Sequence, residues 1–414
     1  MLKPAAGKEC LCWFGIQHAL ISSDSPLESK IIRVCVFMKR AYFVFPILLF
    51  AITAFAQNNF VYTNDNFSPN TVSAFKVSPS NGALTLIPGS PFQTGGSGGA
   101  HDVGPQTITT ATLGTNSFLY AANAGSGTLS AFAIDPRTGN LTAVPGSPFT
   151  VAAANSGNTL SLTASPDGHF LFEVDESSTF IRTFNIAANG ALTEAAGSPL
   201  DSGAFPEGLK VTANGKFLLV GLKSIDAVGV YAIGSSGSLT PVFGSPFLTN
   251  GAAAAVDTTC ANNRAFVASA GSDLIDAFDM AADGSLTPVA GSPFPSGGTS
   301  TINALTLNPS NQELLTSDVF NSEVSSLAVG TDGSLQPVPG SPFSATDWVG
   351  SIATTRSGKF VYTSLFAQGR VDGWMIMTDG TLRPIPGRPF STGQPGAGVQ
   401  ALTTFPAPSC TATQ

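Results

Sequence analysis

Residues 118–149 read FLYAANAGSGTLSAFAIDPRTGNLTAVPGSPF. An apolar run, Phe118-Leu119-Tyr120, opens the stretch. An alternating segment through Phe132 follows, then the syllable Gly139-Asn140-Leu141, then the tag Gly146-Ser147-Pro148-Phe149. Gly, Asn, Asp and Pro separate these pieces. Period-two alternation with such punctuation predicts short strands and tight turns. A fourth segment opens each full unit, as in Leu160-Ser161-Leu162-Thr163 before the turn Ser165-Pro166-Asp167-Gly168.

The pattern repeats. Gly-Ser-Pro-Phe begins at Gly89, Gly146, Gly244, Gly291 and Gly340, with near copies at Gly197 and Gly387. The spacings are 57, 51, 47, 47, 49 and 47. The Gly-x-Leu syllable recurs before every tag, at Leu84, Leu141, Leu192, Leu239, Leu286, Leu335 and Leu382. Four short antiparallel strands in about 47 residues are the signature of a propeller blade, and seven units make a ring. The fold class expected is therefore all-β, a seven-bladed β-propeller of four-stranded antiparallel blades. We call the strands A to D, from the channel outward. Asn58 begins at strand B, so the first unit lacks its A. Gly398-Val399-Gln400-Ala401-Leu402-Thr403 resembles an A strand with no B after it. The C-terminal strand is expected to complete blade one, which removes a free sheet edge. The tag proline, lacking an N–H, is expected to end strand D.

The units PDGHFLFEVDESSTFIRTFNIAANGALTEAAGSP and FLYAANAGSGTLSAFAIDPRTGNLTAVPGSPF resemble the lactonase-like, or 6-phosphogluconolactonase-like, β-propeller family of the cycloisomerase 2 type. Val61-Tyr62-Thr63-Asn64 is similar to the repeats of propellers with Tyr-Val-Thr-Asn strings. The resemblance spans about residues 58–405. It implies a ligand site at the top mouth of the channel and enzymes that use His, Arg and acidic side chains there. In many relatives a Pro-Arg-His string opens a strand A, and no unit here has one.

Residues 1–56 differ from the rest. They hold 6 of the 18 Lys+Arg and only 3 of the 26 Asp+Glu. Met38-Lys39-Arg40 leads into an apolar run from Ala41 to Ala54, ending in Ala54-Phe55-Ala56. A basic start, an apolar run shorter than the ~20 residues of a membrane span and a small-x-small end form a signal peptide pattern. We read 1–37 as an over-long start or leader, 38–56 as signal peptide and 57–414 as one propeller domain, secreted or periplasmic. The mature chain would keep 12 basic against 23 acidic residues, a formal charge of −11. That balance argues against nucleic acid. A monomer is expected, with no membrane span after signal cleavage. Its two cysteines, Cys260 and Cys410, would meet an oxidising compartment and are expected to pair beneath the channel.

The B–C and D–A loops share one face, the top. They carry many carboxylates and few cations. His101, in the long first D–A loop, and Glu207, at the start of a strand A, are the candidates for a general base. Asp175, Asp347, Trp348 and Arg370 are the candidates for ligand binding. No D-x-D-x-D-G loop, H-E-x-x-H, C-x-x-C or P-loop occurs, so no metal and no cofactor is expected. Gly95-Gly96-Ser97-Gly98-Gly99 matches G-x-S-x-G but lacks the strand before and helix after that a nucleophile elbow needs. A phosphorylated lactone would want several cations, and the top loops offer Lys223 and Arg370. The function expected is a scaffold binding a neutral small molecule, a glycan or a protein. The rival is hydrolysis of a neutral sugar lactone.

Overall fold

The computed structural model describes residues 58–99, 106–151, 160–298, 301–394, 398–408 and residue 410. The signal peptide reading and His101 fall outside them. Seven antiparallel sheets follow one another along the chain. In the third, strand A is Leu160–Ala164, B is Phe170–Asp175 and C is Phe180–Ile186. Among the described residues the one helical turn is Lys223–Ile225.

Strand B reads apolar because both of its faces are covered. In blade three Leu171 packs with Tyr120 and Leu129 of blade two. Phe172 and Val174 point the other way, toward Leu209 and Leu218 of blade four. Burying side chains of this size contributes about 1.5–3 kcal/mol each, so the junctions between blades carry the core.

The Gly-x-Leu syllable serves those junctions. Gly139 sits at φ 77°, and a Cβ there would fall 2.5 Å from the Phe60 ring of blade one. Only glycine meets both demands. Its carbonyl accepts a hydrogen bond from Tyr62 Oη at 2.8 Å. Tyr120 makes the same bond to the Gly190 carbonyl at 3.0 Å, and Tyr362 to that of Gly82 at 2.6 Å. The last joins blade seven to blade one. Blades one, two and seven thus each grip the blade that follows.

Strand D corrects the expectation made for the tag. It does not end there. It comes in two pieces, in blade three Leu192–Glu194 and Leu200–Asp201, and both pair with strand C. Between them the proline supplies no N–H and the ladder breaks. The tag serine fills the gap. Its Oγ accepts the backbone N–H of Ala74, Ala131, Thr183, Val230, Ala277 or Ser326 on strand C, at 2.9–3.1 Å. Blade seven has Arg388 in the serine's place. There the Gly373 N–H donates to Asp372 Oδ1 at 2.9 Å, and Arg388 holds Asp372 Oδ2 at 2.9 Å. The Arg388 guanidinium also lies 4.5 Å from the centre of the Trp374 ring.

The ring closes through the split blade. Ala401–Phe405 pairs antiparallel with Phe60–Asn64 in unbroken register, from Phe60 opposite Phe405 to Asn64 opposite Ala401. The closing strand also touches blade seven. Its Leu402 N–H donates to Ser351 Oγ, and Thr404 Oγ1 donates to the Thr354 carbonyl, each at 2.8 Å. Beyond it, Cys410 forms a disulfide with Cys260 in the A–B turn of blade five, Cα to Cα 5.2 Å. Blade five lies three steps round the ring from blade one. The tail from Phe405 to Cys410 therefore passes under the channel, a reach of up to ~17 Å.

Candidate functional site

The top mouth is asymmetric. Strands A of blades four to seven are bulged, between Pro206 and Leu209, Ala253 and Ala255, Ile302 and Ala304, and Val349 and Ile352. Strands A of blades one to three pair without a shift. Bulges bend a strand and re-aim its side chains, and they gather next to binding sites. Glu207 sits on the first of these bulges. Its neighbour Gly208 packs so closely that a Cβ would meet the Ala254 carbonyl oxygen at 2.3 Å.

Glu207 is 4% exposed. Its Oε2 lies 3.1 Å from Lys223 Nζ, and Glu176 Oε1 lies 3.1 Å from the same nitrogen. The B–C loops of blades three and four and strand A of blade four thus meet at one ammonium. Burial works against that charge, yet Glu207 and Glu176 together hold the Lys223 pKa above its ordinary value. A carboxylate clamped on an ammonium is a poor general base, and an ammonium shared by two carboxylates is a poor phosphate anchor.

The other candidates divide. Asp175 is 2% exposed, and its Oδ1 accepts the N–H and the hydroxyl of Ser177, which caps its own turn. Arg370 is exposed on blade seven. Asp347 and Trp348 stand together on the D–A loop of blade six, with Trp348 against Phe320 of the B–C loop. The structure does not gather Asp175, Glu207, Asp347 and Arg370 into one cluster; they belong to blades three, four, six and seven. Among the described residues no group of three or more His, Cys, Asp and Glu is placed to hold a metal ion.

Two carboxyls of the top-face set, Asp65 and Glu173, read from the sequence as solvated loop charges and are instead buried. Asp65 accepts hydrogen bonds from Thr63, Thr71 and Ser73 at 2.6–2.8 Å. Burial outweighs those hydroxyls and pushes its pKa up to about 6. Glu173, facing blade two, is fully buried, with Arg182 Nε 3.6 Å from its Oε2. That contact is too long for a hydrogen bond, and neither Glu173 oxygen accepts one. Burial dominates, Arg182 opposes it, and the Glu173 pKa is pushed up to about 8. A carboxyl whose folded pKa exceeds its unfolded one adds stability below the unfolded value and loses it as pH rises through the folded one. Thermal stability is therefore expected to rise as pH falls from 9 toward 5. Glu173→Gln should flatten that curve between about pH 5 and 8 and be about 1–3 kcal/mol the more stable protein at pH 9. Parallel curves for the two proteins, read by thermal unfolding, would contradict this.

No protein-family model and no curated protein sequence matches the chain. Solved structures do. A candidate 6-phosphogluconolactonase from Bacteroides fragilis superposes with TM-score 0.69 at 17% identity, over 85% of this chain and 99% of that one. The periplasmic gluconolactonase of Pseudomonas aeruginosa does so with TM-score 0.65 at 16% identity, over 85% and 99%. A candidate 6-phosphogluconolactonase from Bacteroides uniformis gives TM-score 0.65 at 13% identity, over 84% and 99%. At these identities the likeness is one of fold.

Proposed function

We propose that this chain is an exported lactonase-like propeller that binds a ligand at its top face and does not hydrolyse phosphorylated lactones. One observation carries the reading. Lys223, the lysine of the mouth, is held between Glu176 and Glu207 and is not free for a phosphate. Ring opening would also need a base and donors for the developing oxyanion, and Glu207 is tied to Lys223. A mature charge of −11 repels anions within a Debye length of ~8 Å. Export is supported by the pattern from Met38 to Ala56 and by the disulfide, which needs an oxidising compartment. The fold shared with a periplasmic gluconolactonase favours a second reading, hydrolysis of a neutral sugar lactone.

The test is lactone hydrolysis by protein recovered from the exported fraction, its N-terminus read as Gln57 by intact mass. The phosphorylated lactone should be hydrolysed no faster than background. Turnover of it that disappears in Glu207→Ala would overturn the binding reading. Turnover of a neutral lactone alone would establish the second one. Protein recovered only in the cytoplasm and still carrying Met1 would overturn export.

A further inference from the structure

Two large aromatic side chains stand in the open on top of blade six. Phe320, in the B–C loop, is 62% exposed, and Trp348, in the D–A loop, is 47% exposed. Their ring centres lie 6.3 Å apart with planes at 80°. Two rings at that angle form a corner with a π-face on each wall.

The groups beside the corner are acceptors. Asp347 directly precedes Trp348. Glu323 opens strand C, paired with Asp318 on strand B and with Ser344 on strand D. Asp347 Oδ2 and Glu323 Oε2 are buried oxygens that accept no hydrogen bond. Leaving such an oxygen unsatisfied costs about 1–3 kcal/mol, more when it is charged. Burial and the neighbouring Asp318 both raise the Glu323 pKa, so a positive charge would be welcome there. The Asn321 amide is already donated to Asp318 Oδ2 at 3.2 Å. Neither loop carries Lys or Arg. Arg388 reaches the Ser344 carbonyl at 3.2 Å, but its charge is held by Asp372.

π-faces and carboxylates, in two loops without Lys or Arg, describe a site for an organic cation. A sugar could also stack on the rings and donate its hydroxyls to the carboxylates, but it would bring no positive charge to offset theirs. We infer that the Phe320–Trp348 corner binds a protonated alkylamine, with its methylenes against the two rings and its ammonium toward Glu323 and Asp347. The ammonium brings a positive charge beside two carboxylates and a cation to two aromatic faces. This deepens the binding reading and rests on it, because it names the ligand class for one part of the top face.

Tryptophan fluorescence can test it directly. The chain from Gln57 keeps two tryptophans, Trp348 and Trp374, and Trp374 is 1% exposed. Pentylamine should change the emission saturably. Pentanol, its uncharged counterpart, and methyl glucoside should not. Calorimetry should find pentylamine about tenfold weaker in Glu323→Gln/Asp347→Asn, the loss of a charge-assisted contact. Trp348→Ala should abolish binding, and Phe320→Leu should weaken it while the thermal midpoint stays put. Equal binding of pentanol and pentylamine would overturn the inference. So would binding of methyl glucoside in place of the amine, or the lack of any saturable signal. Lactone turnover in the separate hydrolysis assay would overturn the binding reading while leaving the amine titration as it stands, so the two failures are distinguishable.

Discussion

A chain that stops after Phe390 is expected to lose cooperative folding. The cut removes Ala401–Phe405, and with it the five pairings that cover Phe60–Asn64. It damages two junctions at once. Ala401 and Phe405 belong to the core between blades one and two, and Leu402 to the core between blades seven and one. Deleting buried side chains of this kind costs about 2–5 kcal/mol apiece. A domain has only about 5–15 kcal/mol in all. The truncated protein should therefore aggregate through its bared edge or unfold over a broad range. Denaturant unfolding monitored by fluorescence reads this, and an unchanged midpoint would refute the closure argument.

Loss of the disulfide is expected to have the next largest effect. Cys260 and Cys410 are 150 residues apart in sequence. A cross-link across so long a loop limits the unfolded chain by about 5 kcal/mol in the loop-entropy account, and measured losses run at about 2–5 kcal/mol. Cys410→Ser should lower the guanidinium midpoint accordingly. Cys260→Ser should do the same, and the double variant should be no worse than either single one. Additive losses would mean that the two residues act separately. Two reactive thiols in the denatured, unreduced wild type would mean that no cross-link forms.

The blade count, the strand order and the split first blade were all legible, because a repeat displays its own period. Leu84, Leu141 and their equivalents mark the same place seven times. The role of the tag serine was not legible. Its partner is a backbone N–H on strand C, 15 or 16 residues earlier, as for Ser90 and Ala74, and a backbone group leaves no mark in the sequence. Blade seven alone hinted at it, where Arg388 replaces the serine and Asp372 supplies the acceptor. The top face was harder still. Lys223 reads as a loop cation because Glu176 and Glu207 lie on other elements, and only the ring brings the three together. Glu173 reads as a loop charge at the end of an apolar strand, yet it is buried against blade two. Phe320 carries no mark in the sequence that its loop leaves it uncovered.

Five of the seven junctions in the ring are of one kind: an aromatic on strand B of one unit sits on the turn glycine of the next. At the other two, Arg264 of blade five and Glu313 of blade six take the aromatic's place against Gly333 and Gly380. Such a contact is directional, head to tail, and by itself has no stopping point. Directional contacts give a closed circle when their rotation adds up to a full turn and an open filament when it does not. Here the arrest is written into the chain, because the last segment carries the missing quarter of the first unit. That quarter is also the one piece that another copy could supply. The same lap joint that seals the monomer is thus where two molecules would exchange strands.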